Sequence, residues 1–219
     1  MNKCIGIIGS GQVGQALGNG FLKHGYQVMI GTREPEKLND WKAAGGTNAS
    51  VGSNVEAAGF GQIIVLAVKG EAALEALAMS GADNLNGKIL IDTTNPIDHS
   101  KPPLNGLLSL FTGPNESLME SIQQAVPAAN VVKAFNIVGN AFMVNPNFPQ
   151  GKPTMFICGN NADAKREVTA ILDKFGWITE DMGMVESARA IEPLVCLWCL
   201  PGMLRKQWNH AFALYKMNE

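Results

Sequence analysis

The sequence predicts an α/β protein, a doubly wound and mostly parallel sheet followed by a small α-rich C-terminal part. Three observations carry that prediction. Short apolar runs alternate with helical periodicities through the first half of the chain. Those runs are apolar throughout, as strands covered on both faces are. A glycine turn, Gly9-Ser10-Gly11-Gln12-Val13-Gly14, joins the first run to the first helix.

Length and composition set the frame. The chain has 219 residues, 46% hydrophobic and 16% charged, enough apolar matter for a sizeable core. The formal net charge is −2 with no basic block, which argues against a nucleic-acid face or a polybasic membrane patch. The longest late apolar stretch, 193–204, holds two prolines and falls short of the roughly 20 residues a membrane span needs. No signal-peptide pattern opens the chain, so a cytoplasmic protein with reduced thiols is expected.

The elements follow in order. Cys4 to Ile8 reads as a strand and Val13 to His24 as a helix, with Ala16, Leu17, Phe21 and Leu22 on one face and Gly25 beyond its end. Gln27 to Ile30 is a second strand. Glu34 to Ala44 is a weaker helix, with Pro35 suited to its first turn. Gln62 to Val68 and Lys88 to Asp92 are buried strands, separated by a helix over Glu71 to Met79. His99 to Gly113, rich in Pro, Gly and Leu, reads as a long loop. A helix over Ser117 to Ala125 precedes strands at Val131 to Phe135 and Thr154 to Cys158. Ala162 to Phe175 is helical, and Ile178 to Asp181 reads as a short strand. From Glu186 onward the chain reads as helix, interrupted near Pro201-Gly202. The expected division is a nucleotide-binding domain over 1–150 and a smaller portion over 151–219 that completes the cleft.

Strand, glycine turn and helix together give the G-x-G-x-x-G spacing its meaning. Gly9 permits the tight turn, Gly11 lets backbone approach a pyrophosphate, and Gly14 lets helix and strand pack closely. The N–H groups of Gly9, Ser10, Gly11, Gln12 and Val13 then surround a diphosphate at the positive end of a helix dipole. A dinucleotide in a Rossmann-type domain is the expectation. At the end of the second strand, where an NAD site carries an acidic residue, this chain has Gly31-Thr32-Arg33, with Lys37 four residues on. Thr32, Arg33 and Lys37 suit a 2′-phosphate, so NADP(H) is the expected cofactor. The later strand ends add Ala67 and Val68 in the adenine-side ribose and diphosphate region, with Lys69 next to them in the cofactor-binding set. Asn95, Pro96 and Asn136 are placed toward the nicotinamide, and Ala134 joins the cofactor-binding set at the same strand end.

"IGIIGSGQVGQAL", "IGTREPEKL", "VVKAFNIVG" and "ESARAIEPLVCLW" appear in that order. Over nearly the whole chain they resemble the NADPH-dependent reductases of the deazaflavin coenzyme F420. They are also similar to the oxidoreductase domains of six-transmembrane ferric reductases. With no span-length segment, a complete membrane ferric reductase is not expected in this one chain. The resemblance implies a homodimer and hydride transfer from NADPH to a flavin or deazaflavin ring. Departures at 67–70 and 134–140, which border the second ring's place, leave the acceptor open. Reduction of a small imine or carbonyl, and a non-catalytic NADP(H)-binding regulator, stand as the other readings.

No catalytic set emerges, and aligned rings need little acid–base help for hydride transfer. His24 reads as a surface or capping residue, His99 as a loop residue within reach of the cleft, and His210 as structural. Cys196 and Cys199 form a C-x-x-C without the preceding strand of a thioredoxin-like motif, so they read as buried thiols. No metal site is expected.

Overall fold

The computed structural model describes residues 3–217. β1 (Cys4–Ile8) leads into the glycine turn and α1 (Gln12–Lys23) leaves it, burying Leu17 and Phe21. β2 (Gln27–Gly31) follows. The segment read as one helix is a 3-10 turn, Pro35–Leu38, continued by α2 (Asn39–Gly45).

The next two elements were absent from the sequence reading. β3 (Ala49–Gly52) has only four residues and no apolar run, and its parallel pairing with β2 makes it a strand. α3 (Asn54–Phe60) starts at a capping box: the Ser53 hydroxyl accepts from Glu56 N, and the Glu56 carboxylate accepts from Ser53 N.

β4 (Ile63–Leu66), α4 (Ala73–Ser80), β5 (Ile89–Asp92), α5 (Leu118–Ala125) and β6 (Asn130–Lys133) complete the main sheet. Its order is β3-β2-β1-β4-β5-β6, with all five neighbouring pairs parallel. The chain reverses its direction of travel between β1 and β4. A crevice therefore opens beyond the carboxyl ends of those strands. β6 stops at Lys133, two residues earlier than expected. Fully buried Phe135 takes a φ of 65°, a region that bulky side chains rarely enter.

β7 (Thr154–Ile157) and β8 (Ile178–Asp181) form a separate parallel pair, with α6 (Ala162–Lys174) between them in sequence. One apolar core extends from Ile7 and Val65 through Val132 to Met155, Val168 and Trp177.

α7 (Ala188–Ile191) and α8 (Leu194–Arg205) close the helical part. The expected interruption at Pro201-Gly202 does not occur. α8 runs through Pro201 and ends at Lys206, whose φ is 56°. The chain beyond is not helical. It returns over α8, with Trp208 seated on Gly202, where a Cβ would lie 2.3 Å from the indole. Trp198 and His210 stack at 5.1 Å, each bonded to the other's carbonyl, and Thr154 N donates to Phe212 O. His210 therefore belongs to this return segment rather than to a helix.

No helix among the described residues is long and apolar enough to cross a membrane. No group of three or more His, Cys, Asp or Glu among them is placed to hold a metal ion. Burial raises the Cys196 thiol and lifts that of Cys199 to about 11, which keeps the pair protonated at neutral pH.

Candidate functional site

A cleft of about 670 Å³ lies beyond the carboxyl ends of β1, β2, β4 and β5. Its floor is the glycine turn. Gly9 has a φ of 116°, and a Cβ there would sit 2.3 Å from the Ala67 carbonyl. A Cβ on Gly14 would sit 2.0 Å from the Gly9 carbonyl. The fold itself demands both glycines. Gly11 differs: it is the N-cap of α1 in ordinary extended geometry, and a Cβ there would meet no protein atom within 4 Å. Packing does not require glycine at this point. The space a side chain would take opens into the cleft, beside first-turn amides that no N-cap side chain engages.

The turn is tied to β2. Gln15 Nε2 donates to Ser10 O, and the Ser10 and Thr32 hydroxyls lie 2.9 Å apart. Thr32 Oγ1 accepts from Glu34 N as well. If Ser10 donates to Thr32, the Thr32 proton is free to point into the cleft. Arg33 is exposed, lines the cleft, and has no ion-pair partner among the described residues. Lys69, from the β4 side, is likewise an unpaired cation on the lining. Lys37 is not on the lining. Its ammonium is held 2.6 Å from Glu34, and Glu34 does line the cleft.

Asn95 occupies the other end. Its Nδ2 donates to Asn136 O at 2.7 Å, and Asn136 Nδ2 donates back to Asn95 Oδ1 at 3.0 Å. Asn136 is 3% exposed and stands behind Asn95 rather than on the surface. Its Oδ1 has no hydrogen-bond partner among the described residues. Ala134 is fully buried in the sheet ladder, and buried Pro96 offers its carbonyl to Phe111 N.

The structure thus gathers Gly9, Ser10, Gly11, Gln12 and Val13 with Thr32 and Arg33 around one cleft, and adds Ala67, Val68, Lys69 and Asn95. It sets Lys37, Pro96, Ala134 and Asn136 off the lining. His99 reaches the mouth, with its Nδ1 3.4 Å from Glu71. The sequence reading missed Asn54 at the start of α3 and the α4 wall formed by Glu75, Ala76 and Met79. The Ser53-x-x-Glu56 capping box was the signal for the first of these. It also missed Lys133, a charge inside an apolar strand run.

Comparison with known proteins agrees with this architecture. A family model described as NADP oxidoreductase coenzyme F420-dependent matches residues 4–96. A crystal structure from Arthrobacter sp. FB24, provisionally assigned as an F420-dependent NADP-reductase, superposes with a TM-score of 0.91 at 30% identity. That match covers 98% of this chain and all of the other. The F420-dependent NADP reductase of Methanothermobacter thermautotrophicus is 27% identical over 205 residues, covering 87% of this chain and 85% of that protein. Metalloreductase STEAP3 of Rattus norvegicus is 31% identical over 209 residues, 91% of this chain and 38% of that protein. The chain spans about two fifths of the length of the mammalian metalloreductases it matches.

Proposed function

Because the chain belongs to the family of coenzyme F420-dependent NADP oxidoreductases, we propose that it passes hydride between NADPH and a flavin-like or deazaflavin acceptor in this cleft. The NADPH-dependent oxidoreductase activity, the identity of the acceptor and the roles of the residues are all part of the proposal. The observation that carries it is Gly11, a glycine that the fold does not need, facing an open cradle beside Arg33, which has no ion-pair partner among the described residues.

In this reading the amides of the glycine turn hold the diphosphate. Thr32 donates a hydroxyl proton to the 2′-phosphate, and Arg33 supplies a charge-assisted pair. Lys37 joins only by leaving Glu34. Ala67, Val68 and Lys69 border the ribose and diphosphate side. Asn95 borders the reactive ring, backed by Asn136, Pro96 and Ala134. Bound NADPH would supply the hydride, and water the accompanying proton when a deazaflavin is reduced. The protein's part is to align the rings and exclude solvent. Residues 151–219, none of which lines this cleft, would add the second wall beyond Asn95, from the side where Ile191 meets Asn136. A homodimer is part of the proposal, supported by apolar side chains exposed together near Gly106, among them Leu104, Leu107 and Leu204.

The test is NADPH oxidation against a panel of F420, FMN, a ferric chelate and a cyclic imine. Turnover with F420 or FMN is the expected result. Turnover confined to the chelate or the imine would replace the acceptor, and none with any member would refute the reading.

A further inference from the structure

Lys133 is fully buried at the end of β6, in a run that otherwise reads as apolar strand. Removing an unpaired ammonium from water is strongly unfavourable. Here its ammonium forms ion pairs with Asp92 Oδ2 at 2.6 Å and Glu192 Oε1 at 2.8 Å, and donates to the Thr94 carbonyl at 3.0 Å. Burial pushes the Lys133 pKa down, the two carboxylates push it up by more, and the group stays charged.

The carboxylates are equally engaged. Asp92 Oδ1 accepts from Thr94 N at 2.9 Å and from Thr94 Oγ1 at 2.7 Å. Glu192 accepts from Leu118 N and Met119 N, both at 2.9 Å. Those are the first two amides of α5, which have no partner inside the helix and lie at its positive end. Asp92 Oδ2 has its ion pair with Lys133 and no hydrogen bond among the described residues; the other polar atoms of the three side chains are hydrogen-bonded, and a buried network tied in this way resists movement.

The network has a direction. Every polar group of Thr94 ends on it, N and Oγ1 on Asp92 and O on Lys133. Thr94 and the next residue, Asn95, line the cleft. Asn95 is clasped by Asn136, three residues beyond Lys133, across the left-handed Phe135. Asn136 also reaches the carbonyl of Ile191, the neighbour of Glu192, at 3.4 Å. A left-handed buried aromatic is strain that its surroundings must hold in place.

We propose that Lys133, Asp92 and Glu192 form a positioning cluster that holds the Thr94–Asn95 segment and the C-terminal helices as one rigid wall at the nicotinamide end of the cleft. This rests on the reading that the cleft holds NADP(H). The cluster lies far from the place assigned to the adenosine 2′-phosphate, so disturbing it loosens one end of the ligand only.

The experiment compares calorimetric affinities for NADPH and for 2′,5′-ADP, which lacks the nicotinamide. Glu192→Gln puts an NH₂ group among N–H donors and removes one charge. Its NADPH affinity falls about tenfold, the scale of a lost hydrogen bond to a charged group. Its 2′,5′-ADP affinity stays within about twofold by the same reasoning. Arg189→Ala is the control. It cuts the exposed Arg189–Glu120 contact, which also ties this segment to α5 but does not touch the cluster, and changes neither affinity. A folded Glu192→Gln protein, judged by circular dichroism, whose two affinities move together or not at all overturns the proposal. If that variant does not fold, Thr94→Val removes only the hydroxyl contact to Asp92. It lowers the NADPH affinity about threefold with 2′,5′-ADP unchanged, and an unchanged ratio overturns the proposal as well. Wild-type protein that binds neither nucleotide overturns the cofactor reading and the proposal with it.

Discussion

Gly11→Ala adds one methyl group at the N-cap of α1, where no protein atom lies within 4 Å of the new carbon. The backbone there has φ −72° and ψ −173°, which alanine adopts freely. Alanine is a poorer N-cap than glycine by about 0.5–1 kcal/mol. It also restricts the unfolded chain, which returns about 0.4–1 kcal/mol. The two nearly cancel, so the melting temperature moves by no more than about 4 °C for a chain of this size. Binding behaves differently. The methyl group stands where the diphosphate must approach, and displacement by that distance breaks at least one N–H bond to a charged oxygen. Such a bond contributes about 1.5–3 kcal/mol, so the NADPH dissociation constant rises about 10- to 150-fold. Calorimetry and a thermal melt on the same sample read both effects. Gly14→Ala is the counterpart: its Cβ would lie 2.0 Å from the Gly9 carbonyl, so the backbone must move and stability falls. A Gly11→Ala protein that melts normally and binds NADPH as tightly as wild type would refute the reasoning.

Three further outcomes follow from the charges. Arg33→Ala weakens NADPH by about 1.5–3 kcal/mol and leaves NADH nearly unchanged. Lys37→Ala changes the ratio of the two by less than about threefold, since Lys37 is exposed and already paired with Glu34; fluorescence titration with both coenzymes tests the pair. The Glu120 carboxyl is held below its ordinary value of 4.5, first by its hydrogen bond from Arg189. A depressed carboxyl pKa stabilises the fold above the unfolded value and ceases to do so as pH falls through the folded one. The difference in urea midpoint between wild type and Arg189→Ala is therefore constant above about pH 4.5 and shrinks below it; a gap that widens in acid would contradict the assignment.

Much of the main sheet was legible because its strands are covered on both faces. Cys4–Ile8 and Ile63–Leu66 are unbroken apolar runs, and such runs have few other homes. β3 was not legible, since Ala-Ser-Val-Gly carries no pattern and the neighbouring β2 makes it a strand. The end of α8 was misread for a tertiary reason. Trp208 packs on Gly202 and draws the chain back, an interaction that helical periodicity does not reveal. At the candidate site, the glycine turn and Thr32-Arg33 were readable because local spacing fixes them. Lys37 was placed by its distance from Arg33 along a presumed helix, but a 3-10 turn there sends it to Glu34. Asn136 was assigned to the rim by strand order, and the left-handed Phe135 before it accompanies its place behind Asn95. Lys133 was overlooked because its partners, Asp92 and Glu192, lie far away in sequence and meet only in the folded chain.

The central claim is that the glycine turn and the exposed Arg33 select a 2′-phosphorylated dinucleotide. Isothermal titration of the wild-type chain with NADPH and, separately, with NADH tests it most directly. The account predicts saturable heat with NADPH and an affinity at least about tenfold above that for NADH. Equal affinities, tighter binding of NADH, or no heat with either coenzyme at millimolar concentration would contradict it.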